Sequence, residues 1–461
     1  MNYYQNNTIS ILGSPRMAIP RVGRAAQGQE KLMKQGIWLY FLLLIFEGAL
    51  RKWFLPGLAM PLLIIRDPLV LVLIVMAWRS GKLKMNGYIA GMGAIGLLGI
   101  FTAMFLGHGN LGVALYGARI LLLHFPFIFV IGQVFNREDV LKMGKVLLYI
   151  SIPMAILTAI QFYSPQSAWV NRGVGGDTKG AGFSGALGYF RPPGTFSFIN
   201  GTAGFFSMVS AYLLYFWLQP KGFSKIILAA ATAGLLAAIP FSISRELFFS
   251  VMVAIAFAAI AILRRPKYLG RMFIAVFAIV AALAVLGNTT LLKPAKEAFA
   301  DRFDNANEAE GGVKGVLGDR YIGGLLRAVT GTSHIPFFGY GMGMGTNVGS
   351  QILTGDTQFL IAEGEWGRLM GEMGPLMGLT VIFIRFALSI KLALAAFRNL
   401  KKGNILPWML LSYGLLTIPQ GLWGQPTSLG FGVMIAGLII ASLKPVSAKT
   451  QKPQFYKKPA I

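Results

Sequence analysis

The 461 residues include no cysteine, three histidines and only 17 acidic side chains against 42 basic ones. Without cysteine there is no disulfide framework, no thiol nucleophile and no thiolate metal site. The histidines are scattered and no Asp-x-Asp occurs, so no metal site is recognisable, and activity without metal or cofactor is expected. Charged residues are also scarce, at 13% of the chain against 55% hydrophobic, which leaves more apolar surface than a water-facing globule can bury. The formal charge of +25 does not point to nucleic acid, because the basic residues fall in short clusters between apolar runs. The stretch from Met1 to Gln35 is polar and basic without a small-residue cleavage site, so it reads as a retained tail and not as a cleaved signal peptide.

What remains is a set of long apolar runs. A hydrocarbon core of about 30 Å takes roughly 20 apolar residues per helix. Twelve runs come close: 36–54, 59–78, 87–106, 112–134, 146–163, 198–218, 226–243, 246–263, 271–287, 370–391, 404–421 and 426–443. With these spans, the clusters around Arg21, Arg79, Lys142, Lys225, Arg265, Lys401 and Lys444 all fall on one side, which the positive-inside rule makes cytoplasmic. The expected class is an all-α membrane protein of about twelve transmembrane helices, with both termini cytoplasmic and a large, partly helical loop outside. The chain divides into a tail (1–35), nine helices (36–287) with a loop at 164–197, a large loop (288–369), three helices (370–443) and a basic tail (444–461).

The loops 164–197 and 288–369 are too polar and too rich in glycine to enter lipid. The second holds nine of the 17 acidic residues and seven Lys or Arg, so it is nearly neutral. Its start, Lys293 to Glu310, alternates apolar and charged residues at helical spacing, as a helix on a membrane surface does.

Arg191 stands just outside the sixth span, and Arg245 in the tight hairpin between the seventh and eighth. An arginine at a helix end can simply snorkel or mark a turn. A bare hairpin needs no charge, however, and a planar donor that stays protonated suits a lipid diphosphate, whose oxygens it contacts bidentately. Arg320, Arg327 and His334 follow in the large loop, ahead of alternating glycines from Gly339 to Gly345. No Lys-Ser/Thr comes after these glycines, so they read as a flexible, substrate-lining turn and not a nucleotide loop. His334 is a candidate base or a structural histidine beside an Ile-Pro turn. The loop closes on Asp356, Glu363, Glu365 and Arg368 at the membrane surface. These read as a solvated ion-pair network, or as a site where Asp356 accepts a proton from a sugar hydroxyl. Within the spans, Glu47 with Arg51 and Arg66 with Asp67 read as structural pairs, and Arg119 and His124 as groups turned to the interior.

At these residues the chain resembles the O-antigen ligase and polymerase superfamily of integral-membrane glycosyltransferases. Arg191-Pro192-Pro193-Gly194-Thr195-Phe196 is similar to the family's Arg and Gly-Thr-Phe segment before a helix, and Ser244-Arg245 to its Ser-Arg at a helix hairpin. The Arg320 region with Pro336 to Gly343 is similar to the stretch opening the second half of its large loop. The resemblance implies a bacterial inner-membrane protein of C-type glycosyltransferase-like fold, whose donor and acceptor are oligosaccharides on undecaprenyl diphosphate. It implies catalytic roles for Asp356, Arg245 and Arg191, and substrate contacts from Arg320, Arg327, His334, Glu365 and Arg368. Membrane lipids, a chain-length regulator and a flippase are the partners it implies, with no nucleic acid. Where ligases carry His-Asn, then aromatic-Leu and Glu-x-Gly, this chain has Asp356-Thr357, Phe359-Leu360 and Glu365-Trp366-Gly367. With Asp356 at the histidine position, the first expectation is an inverting polymerase that joins lipid-linked repeats. A ligase acting on lipid A core or protein comes second, and a lipid-linked-glycan flippase is the alternative from another class.

Overall fold

The computed structural model describes residues 24–220, 222–287, 289–310, 323–331, 335–356, 360–362 and 364–445, and the chain is mostly helical. In chain order the helices are α1 (Arg24–Ala49), extended by a π turn (Leu50–Phe54), α2 (Ala59–Leu63), α3 (Arg66–Arg79), α4 (Gly87–Phe105), α5 (Leu111–Arg119), α6 (Phe125–Val134), α7 (Arg137–Tyr163), α8 (Ile199–Leu218) and α9 (Lys225–Phe241). They continue as α10 (Arg245–Arg264), α11 (Leu269–Gly287), α12 (Lys293–Glu310), α13 (Gly323–Thr330), α14 (Asn347–Thr354), α15 (Glu365–Lys401), α16 (Leu406–Gln420) and α17 (Pro426–Ser442). Every one of the twelve apolar runs coincides with one or more of these helices. Among the described residues eight helical stretches, including Gln27–Phe54, Leu111–Val134 and Glu365–Lys401, are long and apolar enough to cross a membrane; Lys225–Phe241 and Pro426–Ser442 are shorter apolar helices. Several helix starts follow local chemistry: Asn86, Asn110 and Ser244 accept first-turn amides, and Asn136 forms a reciprocal capping box with Asp139.

Polarity is inverted relative to a soluble globule. Leu263 and Ile226 are each 80% exposed and Phe383 is 72% exposed, whereas Glu47, Arg66, Glu365, Arg368 and Arg385 are buried. An apolar exterior of this extent calls for an apolar surrounding, and ionisable groups then turn inward. Helices approach one another through small residues. A Cβ on Gly132 would stand 2.5 Å from Ile440, and one on Gly437 2.6 Å from Ile131, so the α6–α17 contact depends on both glycines.

The basic clusters gather at one end of the bundle. There Glu30 pairs with Lys34 (3.4 Å) and Lys82 (2.7 Å), and Lys34 also with Asp139 (2.7 Å). Lys444 donates to the carbonyls of Gln133 and Phe135, Arg137 to the Asn404 side chain, and Arg265 to the Lys401 carbonyl. Burial, with Lys82 nearby, pushes the Lys444 ammonium down to about 8.

The opposite end carries the loops and a two-stranded antiparallel hairpin, β1 (Phe183–Ala186) and β2 (Tyr189–Arg191). An all-α reading misses this hairpin, because strands of four and three residues are too short to show an alternation. Several expected boundaries also move: α1 already runs from Arg24 where 36 was expected, α7 from Arg137 where 146 was expected, and α15 spans Glu365–Lys401 where 370–391 was expected.

Candidate functional site

Arg191 closes β2 opposite Phe183, and the turn after α9 sets Arg245 at the first position of α10. Gly185 links the two. A Cβ there would stand 2.7 Å from Ile243 Cδ1 and 3.4 Å from Arg191 Cγ, so Arg191 lies beside the turn that leads into Arg245. Ile243 has φ +46°, a left-handed conformation that a β-branched residue avoids. Its side chain is fully buried with Phe162, Phe241, Leu292, Ala295 and Ala298, and this packing holds the strained turn.

The second element is α15, two helices joined by a sharp bend. Gly374 has φ 72° and ψ 175°, a region open only to glycine, and Pro375 follows it. A straight helix would separate Glu365 from Arg385 by about 30 Å. Instead Arg385 Nη1 donates to Glu365 Oε1 at 2.5 Å, so the segment before Gly374 folds back along the segment after it. Arg368 is clasped by two carboxylates, Glu365 (3.0 and 2.9 Å) and Glu372 (2.6 Å). Arg385 reaches the carbonyls of Ile418 and Gly421, both at 2.8 Å, and lies over the Trp423 ring. All four ions are buried and their charges cancel, which is what makes an ionic network tolerable there. The surface network expected for Glu365 and Arg368 is therefore an interior one.

The alternating glycines pack into the same bend, where a flexible turn was expected. The Tyr340 and Gly341 amides donate to the carbonyls of Gly371 (2.8 Å) and Glu372 (3.1 Å), and the Gly345 amide to Glu372 Oε1 (2.9 Å). On the other side, a Cβ on Gly343 would stand 2.1 Å from the Val113 carbonyl. His108 accepts the Asn110 amide on Nδ1 and donates from Nε2 to the Met342 carbonyl. Positive φ at Gly339, Gly341 and Gly343 lets the chain thread between α5 and the bend.

A narrow cleft with about 20 Å³ of free space opens between the bend and the turn joining α16 to α17, lined by Thr346, Asn347, Glu365, Arg368 and Gln425 among others. Gln425 accepts from Asn200 (2.7 Å) in the first turn of α8. Phe198, just before that helix, meets Phe183 edge-on at 5.6 Å, and Phe183 is the register partner of Arg191. These contacts tie the rim of the cleft to the hairpin that ends in Arg191.

A further buried ionic group ties α1, α3 and the α5–α6 stretch together. Glu47 accepts from Arg66 at 3.0 Å and lies 3.6 Å from Arg51. Asp67 accepts from Arg119 (2.9 Å to each oxygen) and from His124 Nε2 (2.8 Å), and the Tyr40 hydroxyl lies 3.4 Å from His124 Nδ1. The expected Arg66–Asp67 pair is absent because adjacent residues on a helix point about 100° apart. At the end of α1, Lys52 donates to the Gly194 carbonyl (2.7 Å) and Arg51 to Ser197 Oγ (2.9 Å), while the Thr195 hydroxyl donates to the Ile45 carbonyl (2.6 Å). These bonds fasten the segment that follows Arg191.

Of the residues singled out by sequence, Arg191 lies beside the turn that leads into Arg245, and Glu365 and Arg368 line the cleft. Asp356 is exposed just past α14, its carbonyl accepting from Ser350 Oγ (2.7 Å), and is not among the described cleft residues. Arg327 lies on α13; Arg320, His334 and Glu363 lie outside the described residues. Sequence reasoning did not single out Arg385, Glu372 or Arg302. For Arg385 the signal was present, an arginine well inside an apolar run. Among the described residues no group of three or more His, Asp or Glu is placed to hold a metal. Set against models of known protein families the chain matches none, and no curated protein matches it.

Proposed function

We propose that this chain is a bacterial inner-membrane glycosyltransferase that lengthens a surface polysaccharide, taking its glycan from undecaprenyl diphosphate. In this reading it crosses the membrane about twelve times, with the basic end in the cytoplasm and the loop end outside. The observation that carries it is the packing of Arg191, through Gly185, against the Ile243 turn that leads into Arg245 at the loop end. Helices α16 and α17, of 15 and 17 residues, are about 22 and 26 Å long, short of the roughly 30 Å core. In this reading the turn between them lies below headgroup level, and the cleft is a recess entered from outside.

The donor diphosphate lies against Arg191 and Arg245, which hold the negative charge that develops as its oxygen leaves the anomeric carbon. A hydroxyl of the acceptor glycan attacks that carbon from the opposite side and passes its proton to Asp356, and the new linkage is inverted. Arg368 and Gln425 meet sugar hydroxyls at the mouth of the recess. Glu365 is a scaffold here: it already accepts three bonds from Arg368 and Arg385, with the Gly424 amide at 3.4 Å.

Purified protein in lipid, given an undecaprenyl-diphosphate-linked repeat, is expected to produce longer lipid-linked chains. Arg245→Ala and Arg191→Ala should each slow elongation about a hundredfold or more, and Asp356→Ala by about a hundredfold. Full elongation by both arginine variants would reject the assignment, and transfer to lipid A core alone would make the protein a ligase. A flippase is a second reading, favoured by the ion-pair groups inside the helix bundle, Glu47 with Arg51 and Arg66 and Asp67 with Arg119 and His124. Cells lacking the protein would then hold precursor on the cytoplasmic leaflet, whereas the polymerase reading expects single repeats outside.

A further inference from the structure

Ala295, Ala298 and Arg302 follow one another on α12 at i, i+3 and i+7, and so share one face of that helix. Both alanines are fully buried against Phe162, Phe241 and Ile243, with Ala186 and Tyr189 of the β-hairpin at the edge. A face so apolar calls for a third small or apolar side chain. Arg302 stands there instead, and its Nη1 donates to the Gly185 carbonyl at 3.3 Å. Beside this face, Phe299 and Phe303 each meet Phe248 of α10 with ring centroids 6.0 Å apart, and Phe303 also meets Phe249 at 6.1 Å. Helix α12 therefore grips both the hairpin that ends in Arg191 and the helix that begins with Arg245.

The hairpin pairing is irregular between Ser184 and Ala186, at Gly185 itself. A short strand pair with a register irregularity takes its position from outside contacts more than from its own ladder. We propose that Arg302 is a positioning residue for the diphosphate site: by holding the Gly185 carbonyl it keeps Arg191 beside the Ile243 turn that sets Arg245. The inference rests on the reading of Arg191 and Arg245 given above.

The test is calorimetric binding of farnesyl diphosphate to the full-length protein in detergent, with the unfolding temperature of each variant recorded alongside. Arg302→Ala should bind about tenfold more weakly than wild type. Arg302→Lys, which keeps a long side chain ending in a donor, should recover most of that affinity. Gly185→Ala approaches the same contact from the other side, because its Cβ would press on the Tyr189 carbonyl (2.6 Å) and on Ile243 Cδ1 (2.7 Å). It should weaken binding whether or not Arg302→Ala folds. Wild-type affinity in Arg302→Ala or in Gly185→Ala, with Arg191→Ala and Arg245→Ala impaired, overturns the inference and leaves the site assignment standing. Wild-type affinity in Arg191→Ala and Arg245→Ala removes the assignment itself. Equal loss in Arg302→Ala and Arg302→Lys, each with a lowered unfolding temperature, makes α12 a structural prop only and also overturns the inference.

Discussion

Arg368→Ala is expected to lose on the order of 3–5 kcal/mol of stability and to give little folded protein. The buried network balances Glu365 and Glu372 against Arg368 and Arg385, and deleting one guanidinium leaves two buried carboxylates facing one cation. Glu372 would keep only the Gly345 amide. Arg368→Lys should not rescue, because an ammonium is a point donor and cannot meet Glu365 through two nitrogens while reaching Glu372. A double variant, Arg368→Met with Glu372→Gln, restores neutrality and leaves Glu365 with Arg385. It should therefore be more stable than Arg368→Ala alone. Thermal unfolding of the purified variants in one detergent decides the matter: a double variant that melts below Arg368→Ala would mean that charge balance is not what holds the bend.

Gly374→Ala should be damaging through the backbone, costing about 3 kcal/mol or more. Its φ of 72° with ψ of 175° is closed to alanine, and a Cβ would stand 2.0 Å from the Phe337 carbonyl. Neither the helix nor the glycine-rich stretch can retreat, because the Gly339 to Gly345 segment is itself wedged against α5. Gly378→Ala, where the nearest atom would be the Leu369 carbonyl at 2.9 Å, should cost less, and Gly57→Ala, with nothing within 4 Å, should be silent. The readouts are the yield of monodisperse protein and its unfolding temperature. Wild-type behaviour in Gly374→Ala would show that the bend is not needed for folding.

Both outcomes concern residues whose importance lay partly in view. The Gly374-Pro375 pair marks a break in any helix, yet it gives no direction to the bend. That direction becomes legible only when Arg385 is seen bonded to Glu365 across twenty positions. The glycines from Gly339 to Gly345 could be read as flexibility because a sequence does not say what lies within 3 Å of an α-carbon. Here it is backbone at Gly339 and Gly343 and the His108 and Arg368 side chains at Gly341 and Gly345, and the glycines serve close approach. Arg302 was hidden for a related reason: it falls in a helix with many charges, and its position on the one buried face appears only once the helix is docked on the hairpin.

The apolar runs, their lengths and the gathering of Lys and Arg between alternate runs were determined by the sequence alone. The physical reason is that a hydrocarbon layer imposes a length and a polarity on each segment separately, whatever its neighbours. The packing of Arg191 beside the turn before Arg245, the closing of Glu365, Arg368, Glu372 and Arg385 into one neutral cluster, and the choice of Glu47 over Asp67 as partner for Arg66 were decided only by tertiary structure. Coulomb and hydrogen-bonding terms reward whichever opposite group packing brings within about 3 Å, and that distance depends on helices far apart in the chain.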